Sequence, residues 1–118
     1  MTAAYMQAVA GAALESGCDI VSAGTPAMNG TYPLDPSSQA KMAYTAVYII
    51  ANGRFPAKQA TWGIQDVDGI VHQVQTPAAF LELMTALADY ATELEQIIDG
   101  INTAATLATM PAQPVNIA

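Results

Sequence analysis

The chain has 118 residues, which is enough for one domain with a single modest core. Much of its 53% hydrophobic content is alanine, which buries less area than leucine or phenylalanine, so we expect a thin core that partner subunits complete. Three basic residues stand against ten acidic ones, which gives a net charge of −7. Nucleic acids and anionic lipid surfaces attract clustered Lys and Arg, so we expect neither as a partner.

Cys18 is the only cysteine, so the chain can form no internal disulfide and no thiolate cage for a metal. We predict a buried structural thiol at this position. The apolar segment 1–14 has no Lys or Arg before it and is too short to cross a bilayer. We therefore expect no signal peptide and no membrane insertion.

The first part of the chain is predicted to be a short helix followed by short extended segments. Residues 2–16 are rich in Ala, Met and Gln, and Gly17 follows them as a glycine cap. Residues 18–21 are β-prone, and turn residues then separate them from a second extended segment at residues 31–32. We expect the N-terminal helical segment, residues 1–17, to pack on another element.

A second helix is predicted after Asp35 and Pro36, because an Asp side chain can accept the first free amides and Pro fits the first helical position. The helix should run to Ala51, and Asn52 with Gly53 supplies the left-handed residue that ends it. Few of its positions are polar, so we expect other elements to cover it on most sides.

A β-hairpin is predicted in the middle of the chain. Residues 62–65 and 71–75 alternate apolar and polar side chains, and the Asp66–Gly69 segment between them is typical of a turn. Two strands alone are marginally stable, so we expect residues 18–21 and 31–32 to add strands to the same small antiparallel sheet.

The last predicted helix is long and begins with Thr76 and Pro77, again a cap followed by proline. Apolar residues recur along it at alternating spacings of four and three. They are Phe80, Met84, Leu87, Ala91, Leu94, Ile98 and Ile101. Further apolar residues make this face wider than a two-stranded coiled coil needs, so we predict that it covers a sheet, meets another helix and forms the interface with partner chains.

These elements predict an α+β fold in which a small antiparallel sheet packs with two main helices and the short N-terminal helix. The α+β domain is expected to span residues 18–106. Helical periodicity stops after Asn102, and Pro111 with Pro114 excludes a further regular helix. We therefore predict a C-terminal tail over residues 107–118.

The possible metal and catalytic residues have simpler structural explanations. A calcium loop that began at Asp66 would need Glu twelve positions along, where Pro77 stands, so we predict a plain hairpin turn and no bound metal. His72 has no second histidine and no acid at helical spacing. We predict that it is a surface or hydrogen-bonded histidine with no partner for catalysis.

The acids of the long helix fall mostly away from its apolar face, which indicates a solvated surface more than a pair of catalytic carboxylates. They are Glu82, Asp89, Glu93, Glu95 and Asp99. Trp62 is typical of a core anchor, with carbohydrate stacking as the alternative. No phosphate-binding glycine loop, nucleophile elbow or zinc spacing occurs, so we predict no enzyme activity and no cofactor.

The order of several motifs is similar to that in a known family. Segment 32–39 (YPLDPSSQ) opens a helix, Trp62 is followed by Asp and Gly, and segment 76–80 (TPAAF) opens the long helix, which ends in segment 98–106. This order resembles an uncharacterised domain found near the ends of tail fibre and other virion proteins of tailed bacteriophages. The resemblance covers about residues 30–110.

The resemblance implies a homo-oligomeric component of the virion with no enzymatic residues. Its partners would be copies of itself and other virion proteins, with a host-surface receptor as a further candidate. Two features differ from the family: we expect the domain to stand almost alone instead of following a long fibre shaft, and the last helix carries acids and Gly100 where relatives often carry basic residues. A small tail protein or head-surface protein is therefore as consistent with the sequence as a fibre tip.

Three functions follow as hypotheses. The first is a structural or adhesion module of the virion, which acts through contacts between proteins. The second is an assembly chaperone that binds tail or fibre proteins and is absent from the finished particle. The third is a module that binds a host-surface glycan through exposed aromatic side chains.

Overall fold

A computed structural model describes residues 2–118, so Met1, the first residue of the predicted N-terminal segment, lies outside the described residues. Within this range the chain forms three α-helices and five short strands, in the order α1, β1, β2, α2, β3, β4, α3, β5. The predicted α+β class is confirmed.

All three helices have a capping residue before their first turn, and the caps at Asp35 and Thr76 were predicted. Their ranges are Ala3–Ser16 for α1, Pro36–Asn52 for α2 and Pro77–Ile98 for α3. The side chains of Thr2, Asp35 and Thr76 accept hydrogen bonds from the free amides of the first turns. Helix α2 ends at Gly53, whose φ of 70° is the left-handed conformation that glycine adopts without strain.

The strands form two sheets instead of the single predicted sheet. In the first, β1 (Cys18–Ser22) lies between β2 (Gly30–Tyr32), which is antiparallel to it, and β5 (Val115–Ile117), which is parallel to it. The second is the predicted hairpin of β3 (Trp62–Gln65) and β4 (Val71–Val74). The two are linked by the turn of the hairpin, where the Val67 amide donates to the Thr31 carbonyl at 2.9 Å.

The predicted tail over residues 107–118 is wrong, because its end is part of the first sheet. Strand β5 pairs along β1, and the Ser22 hydroxyl donates to the Ala118 carbonyl at 2.9 Å. The Asp19 amide donates to the Gln113 side chain at 2.9 Å. Without this segment β1 would have an unpaired backbone edge. A strand of three residues is too short for alternation to reveal it in the sequence.

Helix α3 lies at the centre of the core. It packs against α1, α2, β4 and β5. Its buried residues are Phe80, Leu83, Leu87, Tyr90, Ala91, Leu94 and Ile97. Helix α1 contributes Met6 and Ala10 to the same cluster, and Ala10 has no exposed surface. The small alanine side chain lets the two helices approach closely, so the N-terminal segment belongs to the common core.

Candidate functional site

The predicted interface on α3 is mostly inside the core of the chain itself. Four of its residues are buried, namely Phe80, Leu87, Ala91 and Leu94. Met84 and Ile98 are half-buried and pack against the core, whereas Ile101 is 72% exposed and lies beyond the end of the helix. Helix α1 covers the extra width of this face. The stripe therefore cannot be the contact surface for a partner without opening the fold.

The acids of α3 lie on the outside, away from that core. Glu82, Asp89, Glu93 and Asp99 are exposed, and Glu95 is half-buried beside the Gln39 amide, which donates to it at 3.4 Å. The spacing of these acids along the helix places them on a solvated face, which suits a charged surface.

The three most exposed large apolar side chains within one helix lie on α2. This helix touches the core along one stripe, in which Thr45 and Ile49 are buried. Its other side exposes Tyr44 (73%), Val47 (66%) and Ile50 (73%). These three residues recur every three positions, so they form one side of the helix, which we call the α2 face. Large apolar side chains gathered in this way mark a contact surface.

Sequence reasoning expected α2 to be covered on most sides, and within residues 2–118 it is not. The prediction rested on the shortage of polar residues in this helix, which is correct as an observation. The pattern could not say whether the cover comes from the same chain or from another one. Within residues 2–118 the side chains of the α2 face remain exposed.

An open cleft of about 760 Å³ adjoins the α2 face. Helix α2 lines it with Lys41, Met42 and Tyr44, and strand β3 lines it with Trp62 and Ile64. Phe80, which is fully buried, lies at the bottom. The volume is within the usual range of roughly 300–1,000 Å³ for binding clefts.

His72 has the acidic partner that sequence reasoning did not find. Its Nε2 lies 2.7 Å from an oxygen of Asp66, and its Nδ1 lies 2.8 Å from the Ala27 carbonyl oxygen. The other oxygen of Asp66 accepts the amides of Asp68 and Ile70, both at 2.9 Å. The hairpin register carries the missed signal, because residues 66 and 72 are diagonal neighbours across the two strands.

This arrangement favours a charged pair. When His72 is protonated both of its ring nitrogens can donate, and each lies within hydrogen-bond distance of an oxygen acceptor. Hydrogen bonding to His72 and to the two turn amides lowers the pKa of Asp66. Burial lowers the pKa of His72, but the hydrogen bonds to Asp66 and Ala27 and the charge of Asp66 raise it more, so the pKa lies above its ordinary value of 6.5. His72 thereby connects the turn at Asp66 to the segment between β1 and β2 at Ala27.

The stability of the fold should therefore depend on pH through this pair. Because folding lowers the pKa of Asp66, this carboxylate stabilises the fold above pH 3.8, the ordinary carboxyl pKa. That stabilisation is lost as the pH falls through the pKa of Asp66 in the folded state. Because folding raises the pKa of His72, this side chain stabilises the fold below pH 6.5, the ordinary imidazole pKa. That stabilisation is lost as the pH rises through the pKa of His72 in the folded state. Urea unfolding across this range should show a maximum between the two ordinary values.

The matched variant for this prediction is His72→Gln, which keeps a polar side chain but cannot titrate. We expect the fall in the free energy of unfolding on the alkaline side to be smaller in the variant than in the wild-type chain. Parallel curves for the two chains would show that the imidazole does not carry the dependence.

The turn should have a structural role without calcium. Asp68→Ala removes an exposed carboxylate and should change the free energy of unfolding by less than about 0.5 kcal/mol. Asp66→Ala removes the acceptor of two amides and of His72, so its melting temperature should fall clearly further. Neither chain should respond to added calcium. A calcium-induced rise in melting temperature that Asp68→Ala abolishes would contradict this assignment.

Two other residues with possible chemistry are engaged in packing. Cys18 is buried, and burial together with the charge of Asp19 raises the pKa of its thiol to about 11. At neutral pH it is a thiol and not the reactive thiolate. Trp62 stacks on Phe55 with ring centroids 6.1 Å apart. Its ring is half-buried at the cleft, so it does not stand free on the surface.

Comparison with protein-family models, with curated proteins and with solved structures gave no match. Within residues 2–118 no group of three or more His, Cys, Asp or Glu side chains is placed to hold a metal ion. None of the helices in this part of the chain has both the length and the apolar character needed to span a membrane.

Proposed function

We propose that this chain is a structural protein of a tailed-bacteriophage virion and acts through contacts between proteins. The observation that carries the proposal is the α2 face, where Tyr44, Val47 and Ile50 expose large apolar surface that the chain does not cover within residues 2–118. The assignment to a phage particle rests on the resemblance of the motif order. The protein-contact role rests on the α2 face.

The free energy available from burying the α2 face indicates a contact that is wider than this face alone. Complete burial of three such side chains would contribute roughly 2 kcal/mol each. Association costs about 4–15 kcal/mol in lost freedom of motion. The three residues thus supply about as much as the lower limit of that cost, so a stable complex must also involve neighbouring surface, and the cleft beside Tyr44 is adjacent.

Incorporation into particles tests the proposal. Val47→Asp places a charge in the middle of the α2 face, at an exposed position where folding should be almost unaffected. Thr85→Asp introduces the same side chain on the exposed side of α3 and is the matched control. Peptide mass mapping of purified particles should detect the wild-type chain and Thr85→Asp, but much less of Val47→Asp.

Two results would contradict the proposal. Equal incorporation of Val47→Asp and the wild-type chain would mean that the α2 face is not the contact surface. Absence of the wild-type chain from particles whose assembly requires it would identify an assembly chaperone instead.

A further inference from the structure

The cleft is bordered on one side by a strand with a free edge. The Asp66 amide donates to the Ile70 carbonyl at 2.9 Å, and these two residues face each other across the hairpin. Directly opposed residues in an antiparallel pair alternate between bonded and non-bonded pairs. The backbone groups of Gly63 and Gln65 therefore point away from β4.

These outward groups have no partner in the part of the chain that the structure describes. The sheet contains only β3 and β4, and Gly63 and Gln65 form no backbone hydrogen bond to any other described element. Both residues are exposed and both line the cleft. A strand edge beside an apolar cleft and a helix is the arrangement that accepts an added strand from another chain.

The charged residues that line the cleft are Lys41 and Asp66, and Asp66 is engaged by His72 at 2.7 Å, which leaves Lys41 as the unpaired charge of the lining. Segment 36–65, which contains α2 and β3, holds all three basic residues, Lys41, Arg54 and Lys58, and none of the ten acids. Lys41 lines the cleft. Among residues 2–118 the only side-chain ion pair is that of His72 with Asp66, so none of the three cations is neutralised there.

We propose that the cleft binds an extended segment of a partner protein that carries both apolar and acidic side chains, and that this segment adds as a strand to the edge of β3. Its backbone hydrogen bonds go to Gly63 and Gln65. Its apolar side chains, which alternate along a strand, fill the space against Met42 and Trp62, which line the cleft and are half-buried. Its acidic side chains lie toward Lys41.

The charges favour this occupant over the β3 strand of a second copy. Two copies that paired through β3 would bring together two clefts in which Lys41 is the unpaired charge, because Asp66 is already engaged by His72. Like charges at close range oppose such a contact. The inference rests on the proposed protein-contact function and adds the chemistry of the partner.

Synthetic peptides provide the direct test. The probe is a capped peptide of alternating valine and glutamate, about six residues long, which is the usual length of a strand. We expect it to shift the NMR signals of the Gly63 and Gln65 amides and to change the fluorescence of Trp62, the single tryptophan. A peptide with lysine in place of glutamate should bind about tenfold more weakly, because its charge matches that of Lys41.

Two controls separate strand addition from simple attraction. N-methylation of alternate peptide amides removes the donors to the strand edge and should abolish binding. Lys41→Glu, at an exposed position, should reverse the preference between the glutamate and lysine peptides.

Absence of binding at about 1 mM peptide, equal binding of both peptides, unchanged binding after N-methylation, or signal changes away from β3 would each overturn the proposal. If Val47→Asp still blocked incorporation into particles, the proposed function would stand while the cleft proposal failed.

Discussion

Leu87→Asp is expected to unfold the protein. Leu87 lies in the middle of α3 and is 2% exposed within the core. A carboxylate there has no cation nearby, since α3 contains no Lys or Arg. An unpaired buried charge costs at least several kcal/mol, about 4 or more, against a total stability of roughly 5–15 kcal/mol for a small domain. Circular dichroism should show the loss of helix, or a urea midpoint close to zero.

The control for this prediction lies on the other side of the same helix. Glu93 is exposed and sits among other acids, so Glu93→Gln should leave stability within about 0.5 kcal/mol of the wild type or raise it slightly. A folded Leu87→Asp chain together with an unfolded Glu93→Gln chain would mean that the buried side of α3 is assigned the wrong way round.

A chain truncated after Ala112 is expected to lose much of its stability. The truncation removes strand β5 and its ladder on β1, together with the hydrogen bonds of Gln113 to Asp19 and of Ser22 to Ala118. At roughly 1 kcal/mol for each hydrogen bond, the loss should reach about 3–5 kcal/mol. Comparison of the urea midpoints of the truncated and complete chains measures this loss of stability.

The matched control substitutes Asn116, the outward-facing residue of β5, with Ser and keeps the strand. It should cost less than about 0.5 kcal/mol. If the truncated chain were as stable as the complete one, residues 113–118 would behave as the dispensable tail that their composition predicts.

Local signals in the sequence were sufficient to predict the helices and the hairpin. Caps at Asp35 and Thr76 act through a side chain and the backbone amide three residues away, so they operate before any tertiary contact forms. The alternation around Trp62 and Ile64 likewise describes one half-buried strand.

The arrangement of these elements depended on contacts between distant segments, which a single sequence does not display. Strand β5 meets β1 after more than ninety residues. The wide apolar face of α3 was expected to meet another helix, and α1 of the same chain is that helix. Helix α2, in contrast, exposes Tyr44, Val47 and Ile50, and the sequence pattern contained these residues without any sign of which face stays open.

The contact between His72 and Asp66 also depends on how the chain folds, over a separation of only six residues. A search for acids at helical spacing could not find Asp66, because the two residues meet across a hairpin. Once the register is known, the pair explains why the turn carries Asp at position 66 without a metal.

Oxidative footprinting of Tyr44 tests the central claim most directly, because this ring is 73% exposed in the described chain and stands at the junction of the α2 face and the cleft. Hydroxyl-radical labelling is measured on the isolated chain and on purified phage particles. The account predicts strong labelling of Tyr44 in the isolated chain and protection in the particle. Equal labelling of Tyr44 in both states would contradict the claim that the protein acts by burying this surface against another protein.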